Sequence, residues 1–143
     1  MDGYKEMVIL IAEDDEGHAE LIQEGLRESG VRNAMIRFAN GEELWQFLIG
    51  EGETRTREAN KTYLLLLDIN MPKMDGVEVL KRMKGHEELK DIPVMMLTTT
   101  DDPREVEQCY RLGCSVYITK PVEFGKFENT LQRLGLFVQI VRV

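Results

Sequence analysis

Four places along the chain gather side chains suited to holding a metal ion and a phosphate. Glu13, Asp14 and Asp15 stand in a row, and Asp68 directly follows the four leucines Leu64–Leu67. Thr98, Thr99 and Thr100 stand together, and Lys120 precedes Pro121. If these stretches converge, Glu13, Asp14 and Asp68 repel and raise one another's pKa values. A hard divalent cation relieves that repulsion. Mg²⁺ takes oxygen ligands in octahedral geometry and keeps several waters, so one or two carboxylates, a carbonyl and a phosphate oxygen suffice. Mn²⁺ fits as well. One of these acids alone would read as a solvated turn residue; their joint occurrence, with a lysine and a hydroxyl, points to a site.

The elements that must position them follow from the apolar pattern. Met7–Ala12, Ala34–Phe38, Tyr63–Leu67, Val94–Thr98 and Val116–Ile118 have strand length and composition. Between them lie amphipathic stretches: His18–Ser29 with Ile22 and Leu26, Glu42–Ile49 with Leu44, Phe47 and Leu48, Val77–Lys84 with Leu80 and Met83, and Arg104–Leu112 with Val106 and Tyr110. Phe124, Phe127, Leu131 and Leu134 mark a final helix face. The order is βαβαβαβαβα. Strands apolar throughout are buried on both faces, which fits a parallel sheet covered by helices. The expected fold is α/β, a flavodoxin-like (βα)5 doubly wound sheet with strand order 2-1-3-4-5. Ligands of such sheets bind outside the carboxyl ends of the strands, where Glu13, Asp14, Asp68, Thr98 and Lys120 all fall. Met71–Gly76 reads as a turn in which Pro72 sets φ and Gly76 permits a conformation other residues avoid. Asp15 reads as a turn or helix-cap residue, and the methionines of this region and of Met95–Met96 as packing residues.

Composition narrows the function. The 143 residues hold 18 Lys+Arg against 26 Asp+Glu, a formal net charge of −8, which opposes binding to nucleic acid or to an anionic membrane. No apolar run approaches the ~20 residues of a membrane span, and the N-terminus has no secretory pattern. Cys109 and Cys114 have neither C-x-x-C spacing nor a nearby histidine and read as buried or semi-exposed structural thiols in a reducing cytoplasm. His18 and His86 read as surface residues. The length suits one domain, residues 1–143, with a core of about 5–134. Residues 50–62 are polar and aperiodic, an extended loop. Residues 135–143, including LFVQIVRV, form an apolar, β-prone tail that must pack on its own domain or on a partner. Only nine residues follow Leu134, too few for an output domain.

Taken in order, E-D-D after strand 1, D-I-N-M-P-K-M-D-G around Asp68, L-T-T-T after strand 4 and Y-I-T-K-P around Lys120 resemble the CheY-like receiver domains of two-component response regulators. With the long loop and apolar tail, the chain is most similar to the stand-alone response regulators of bacterial phytochrome histidine kinases. The resemblance implies a phosphoacceptor signalling protein rather than an enzyme, one that catalyses only its own phosphorylation and autodephosphorylation. It implies that Asp68 takes the phosphoryl group of a kinase phosphohistidine. Mg²⁺ would be bound by Asp14, Asp68 and the Asn70 backbone carbonyl, with Glu13 acting through water. Lys120 would meet the phosphoryl oxygens as a point charge, and Thr98 would donate its hydroxyl to them. Tyr117 matches the switch aromatic, which changes the face made by helix 4, strand 5 and helix 5. Thr100 and Asn70 occupy positions that tune phosphoryl lifetime. The implied partners are a sensor histidine kinase, such as a bacterial phytochrome, or a phosphotransfer protein, and a second copy of the chain in a homodimer.

Three rivals fare worse. A haloacid-dehalogenase-type phosphatase needs a second acid two residues after the nucleophile, where Asn70 stands, and a cap domain. A pseudo-receiver usually lacks an acid or the lysine, and all are present. A flavodoxin-like redox protein needs a Ser/Thr-rich phosphate loop after strand 1, which is missing.

Overall fold

The structure, a computed structural model, describes residues 6–52, 56–120, 129 and 133. Among the described residues nine elements alternate: β1 (Glu6–Ala12), α1 (Glu16–Glu28), β2 (Met35–Phe38), α2 (Gly41–Ile49), β3 (Lys61–Leu67), α3 (Gly76–Lys84), β4 (Val94–Thr98), α4 (Pro103–Leu112) and β5 (Val116–Thr119). All strand pairs are parallel, in the order β2-β1-β3-β4-β5. This is the expected doubly wound sheet; element ends differ from the sequence reading by one or two residues. The helix marked by Phe124, Phe127, Leu131 and Leu134, Pro121 and the tail 135–143 lie outside the described residues.

Alternation along each strand builds two apolar layers. Ile9, Ile11, Leu64, Leu66, Met95 and Leu97 meet Ile22 and Leu26 of α1 on one face. Leu10, Leu65, Leu67 and Met96 meet Leu44, Phe47 and Leu48 of α2 and Val79, Leu80 and Met83 of α3 on the other. A central strand of four consecutive leucines is therefore consumed two by two. Asp15, Asn40, Asp75 and Asp102 cap α1 to α4 through side-chain oxygens that accept from the first turns. Cys109 and Cys114 are free and buried, as expected, and burial pushes the Cys109 thiol up to about 11, which keeps it inert.

Two expectations are corrected. Tyr110 does not face inward: Cys109 is the buried residue of α4, and the Tyr110 ring is 49% exposed, its hydroxyl accepting from the Tyr117 N–H at 3.0 Å. Gly76 does not hold a left-handed backbone. In the turn after Asp68 the positive φ, 69°, belongs to Lys73, and the Met74 N–H closes a three-residue turn onto the Pro72 carbonyl at 2.8 Å. Gly76 is needed for space, since a Cβ there would lie 2.1 Å from the Asp68 carbonyl oxygen. Gly41 plays the same part on the other side of that turn, 1.9 Å from the Met74 carbonyl oxygen by the same measure.

Gly76→Ala must therefore displace the backbone that carries Asp68. The expected cost is about 1–3 kcal/mol, the usual range for overpacking, read as a lower urea midpoint with an unchanged m-value.

Candidate functional site

The site is assembled by strand register. Ala12, the last residue of β1, pairs with Leu67, the last of β3, and the Asp68 N–H donates to the Ala12 carbonyl at 3.0 Å. Glu13 and Asp68, each one residue further, thus leave neighbouring strands side by side. Thr98 ends β4 opposite Thr119 of β5, and the Lys120 N–H donates to the Thr98 carbonyl at 2.6 Å. β5 is two strands from β3, about 10 Å away. Only a long side chain crosses that gap, and Lys120 does, over the end of β4. Its Nζ lies 3.3 Å from Asp68 Oδ2 and forms a second ion pair with Glu13 Oε1.

Glu13, Asp14 and Asp68 each offer a carboxylate oxygen, all within 4.8 Å of one another. Glu13, Asp68 and Lys120 are buried, at 2%, 7% and 4% exposure, and Asp14 is exposed. At an effective dielectric of ~20, each carboxylate pair at that separation repels by on the order of 3 kcal/mol. With all three carboxylates ionised, as above about pH 7, one ammonium among them leaves a formal charge of −2. The donors are hard oxygens and the residual charge equals that of a divalent cation, so the residues fit Mg²⁺ or Mn²⁺. Burial is the main reason the Glu13 carboxyl is pushed up to about 7; the Lys120 ammonium and the Asp15 N–H oppose this, and the Asp68 charge adds to it.

The remaining candidates line the rim. Thr98 is fully buried, its Oγ1 accepting from the Thr100 N–H at 3.4 Å. Asn70 is exposed; its N–H donates to Asp68 Oδ1 at 3.4 Å and its amide to Thr100 Oγ1 at 3.0 Å. Tyr117 packs against the α2–α3 layer and donates its hydroxyl to the Thr100 carbonyl at 2.5 Å. Burial pushes that phenol up to about 12, so it stays a donor. Asp15 caps α1 by accepting from the His18 N–H at 2.9 Å and is not one of the converging acids. Glu13, Asp14, Asp68, Asn70, Thr98 and Lys120 are therefore gathered at one edge, and Tyr117, inside β5, reaches it through Thr100. Sequence reasoning missed Arg37 of β2, whose guanidinium donates to the Glu13 and Asp14 carbonyls. A cation inside a short, otherwise apolar strand beside an acidic triplet was the available signal.

An acidic crevice with a crossing lysine, at the carboxyl edge of a 2-1-3-4-5 parallel sheet, is the architecture of signalling receiver domains. The chain belongs to that family: the response regulator receiver domain matches residues 9–132. It is 38% identical over 113 residues to the response regulator Rcp1 of Synechocystis, spanning 79% of this chain and 76% of that protein. A response regulator receiver domain from Rhodospirillum rubrum superposes with a TM-score of 0.88 at 43% identity, covering 95% of this chain and 96% of that one. The phosphorylated cyanobacterial phytochrome response regulator RcpA superposes with a TM-score of 0.83 at 33% identity, covering 94% of each chain. The Mn²⁺-bound form of Rcp1 gives 0.82 at 34% identity, covering 92% and 93%. The likeness to phytochrome response regulators expected from the motifs thus holds. Among the described residues, no helix is long and apolar enough to cross a membrane.

The raised Glu13 pKa has a definite sign. Between about pH 4.5 and 7 the native state holds a proton that the unfolded chain has released. The stability this group contributes is present below that window and is lost as pH rises through about 7. Without metal, wild type should lose at most about 3 kcal/mol relative to Glu13→Gln across the window. Urea midpoints of both proteins in chelator check this; parallel pH profiles would refute it.

Proposed function

We infer that the protein is a response regulator that accepts a phosphoryl group on Asp68 from the phosphohistidine of a sensor histidine kinase or a phosphotransfer protein. The observation that carries this reading is the buried Asp68 carboxylate, held beside two further acids and reached by Lys120. A carboxylate oxygen of Asp68 attacks phosphorus. The P–N bond breaks, its electron pair returns to the imidazole, which takes up a proton, and an acyl phosphate forms. Positioning and charge stabilisation dominate such a transfer. Asp14, Asp68 and the Asn70 carbonyl would hold Mg²⁺, with Glu13 acting through water; Mn²⁺ would serve too. When bound, the cation neutralises charge on the acids and the incoming phosphoryl oxygens. Lys120 exchanges its carboxylate partners for a phosphoryl oxygen, and Thr98 donates its hydroxyl to another. Asn70 and Thr100 would tune how fast water removes the phosphoryl group.

The product brings roughly two negative charges into the crevice. A conformation that draws Thr98 towards them gains population. Thr98 is tied to Tyr117 through Thr100, which bonds to both, so Tyr117 carries the change to the face of α4, β5 and the helix that follows. The protein works as a receiver in the cytoplasm, catalysing only its own phosphorylation and dephosphorylation. Its kinase is of the phytochrome type, by analogy with RcpA. The exposed side of α4, with Tyr110 outward, and the tail 136–143 suit a homodimer through that face.

With Mg²⁺ and acetyl phosphate, wild type should gain one phosphoryl mass and a retarded band on a phosphate-affinity gel, and Asp68→Asn neither. An adduct that survives in Asp68→Asn overturns the assignment. A second set of measurements addresses the output. Tyr117→Ala should still form the adduct but show a smaller ratio of partner affinities between phosphorylated and unphosphorylated forms. Removal of residues 136–143 should lower the mass seen by light scattering. Unchanged affinity ratios count against the switch role, and an unchanged mass against the dimer.

A further inference from the structure

β1 and α1 are joined by Glu13, Asp14 and Asp15 alone. The Asp15 carbonyl accepts from the Ala19 N–H, the first bond of the helix. The Glu13 and Asp14 carbonyls precede the helix and accept from no backbone donor among the described residues. Arg37 supplies what is missing. Its Nε and Nη2 both donate to the Glu13 carbonyl, at 3.0 and 2.9 Å, and Nη2 donates again to the Asp14 carbonyl at 3.1 Å. The same turn is held from its other side, where the Glu13 N–H donates to the Phe38 carbonyl at 3.0 Å. Arg37 pairs with Ile11 in the β1–β2 register, so the edge strand β2 grips this turn by backbone and side chain at once. Arg37 forms no ion pair among the described residues. Its fork is spent on peptide oxygens, a geometry an ammonium cannot reproduce.

We propose that Arg37 is a positioning residue for the divalent cation: by clamping the peptides of Glu13 and Asp14 it aims their carboxylates at Asp68 and so sets metal affinity. The inference rests on the reading of Asp14 and Asp68 as metal ligands. Two effects of the side chain oppose each other. The clamp prepays the ordering of a three-residue turn that three mutually repelling carboxylates would otherwise spread apart, which favours binding. The positive charge beside the cation disfavours it. Arg37 is only half-buried and lies on an edge strand, so salt and water still weaken its charge, whereas partners that orient ligating groups from behind typically govern metal affinity by ten- to a hundredfold. The clamp is therefore the larger effect.

Arg37→Lys keeps the charge and loses the fork; Arg37→Met loses both. Mn²⁺ titrations followed by electron paramagnetic resonance should give dissociation constants about tenfold weaker than wild type for both variants. Phosphorylation by acetyl phosphate should need about tenfold more Mg²⁺ for half its maximal rate, with the rate at saturating Mg²⁺ preserved. A merely structural loss would lower the maximal rate as the folded fraction falls and leave the Mg²⁺ dependence alone. Circular dichroism in chelator reports the folded fraction, and if Arg37→Met fails to fold, Arg37→Lys decides. Wild-type affinity in Arg37→Lys, or tighter binding in Arg37→Met, overturns the clamp and leaves the metal ligands standing. Absence of Mn²⁺ binding in wild type would instead overturn the ligand assignment, and the clamp with it.

Discussion

Ala12 and Leu67 are the last residues of two parallel strands that pair in register, and each is followed at once by a carboxylate. Parallel neighbours lie about 4.8 Å apart, too close for Glu13 and Asp68 to ignore each other and too rigid for them to separate. Asp14, the next residue of the same turn, adds a third charge within that distance. Water cannot screen what is buried, so the cost must be met by a positive charge delivered to that spot. Lys120 delivers one from two strands away, and Glu13 responds with a carboxyl that keeps its proton to about 7. What remains is a preformed deficit of positive charge. A divalent cation fits that deficit.

Holding repelling groups together requires a support that does not yield. The two apolar layers supply it. The four leucines of β3 alternate between them, so the strand that presents Asp68 is gripped from α1 on one face and from α2 and α3 on the other. The loop after Asp68 is pressed equally hard. Gly76 and Gly41 let backbone approach where any Cβ would collide, and Lys73 accepts a left-handed φ between them. Strain of this kind costs about 1–3 kcal/mol and persists only where the surroundings over-determine it. Here the packed turn over-determines it.

The rim of the crevice is polar where the base is apolar, and its hydrogen bonds run one way. Asn70 reaches Thr100, Thr98 accepts from the Thr100 N–H, and Tyr117 donates to the Thr100 carbonyl. Thr100 thus joins the loop beside Asp68 to a half-buried aromatic on β5. A displacement at Asp68 has a short covalent and hydrogen-bonded route to the α4–β5 surface, where Tyr110 already bonds the Tyr117 backbone from outside.

Much of this was legible in the linear chain because the information is local. Continuous apolar runs such as Leu64–Leu67 announce strands buried on both faces, and the α/β alternation leaves few topologies. In a parallel sheet all strands point the same way, so the residue after each apolar run lands on the same edge whatever the details of packing. Glu13, Asp14, Asp68, Thr98 and Lys120 could therefore be gathered from their positions in the sequence alone. Contacts that depend on the third dimension were not legible. A glycine looks the same whether it supplies a left-handed φ or room for a carbonyl, and only the fold showed that Gly76 does the second and Lys73 the first. Tyr110 has helical spacing with Val106 but faces water, because the spacing of two residues does not say which side of a helix the sheet covers. Arg37 stood in β2 without apparent chemistry, since its partners are peptide oxygens, which every residue carries and no side-chain pattern reveals. Side-chain types at strand ends determined the chemistry; backbone approach and register decided how closely it is held.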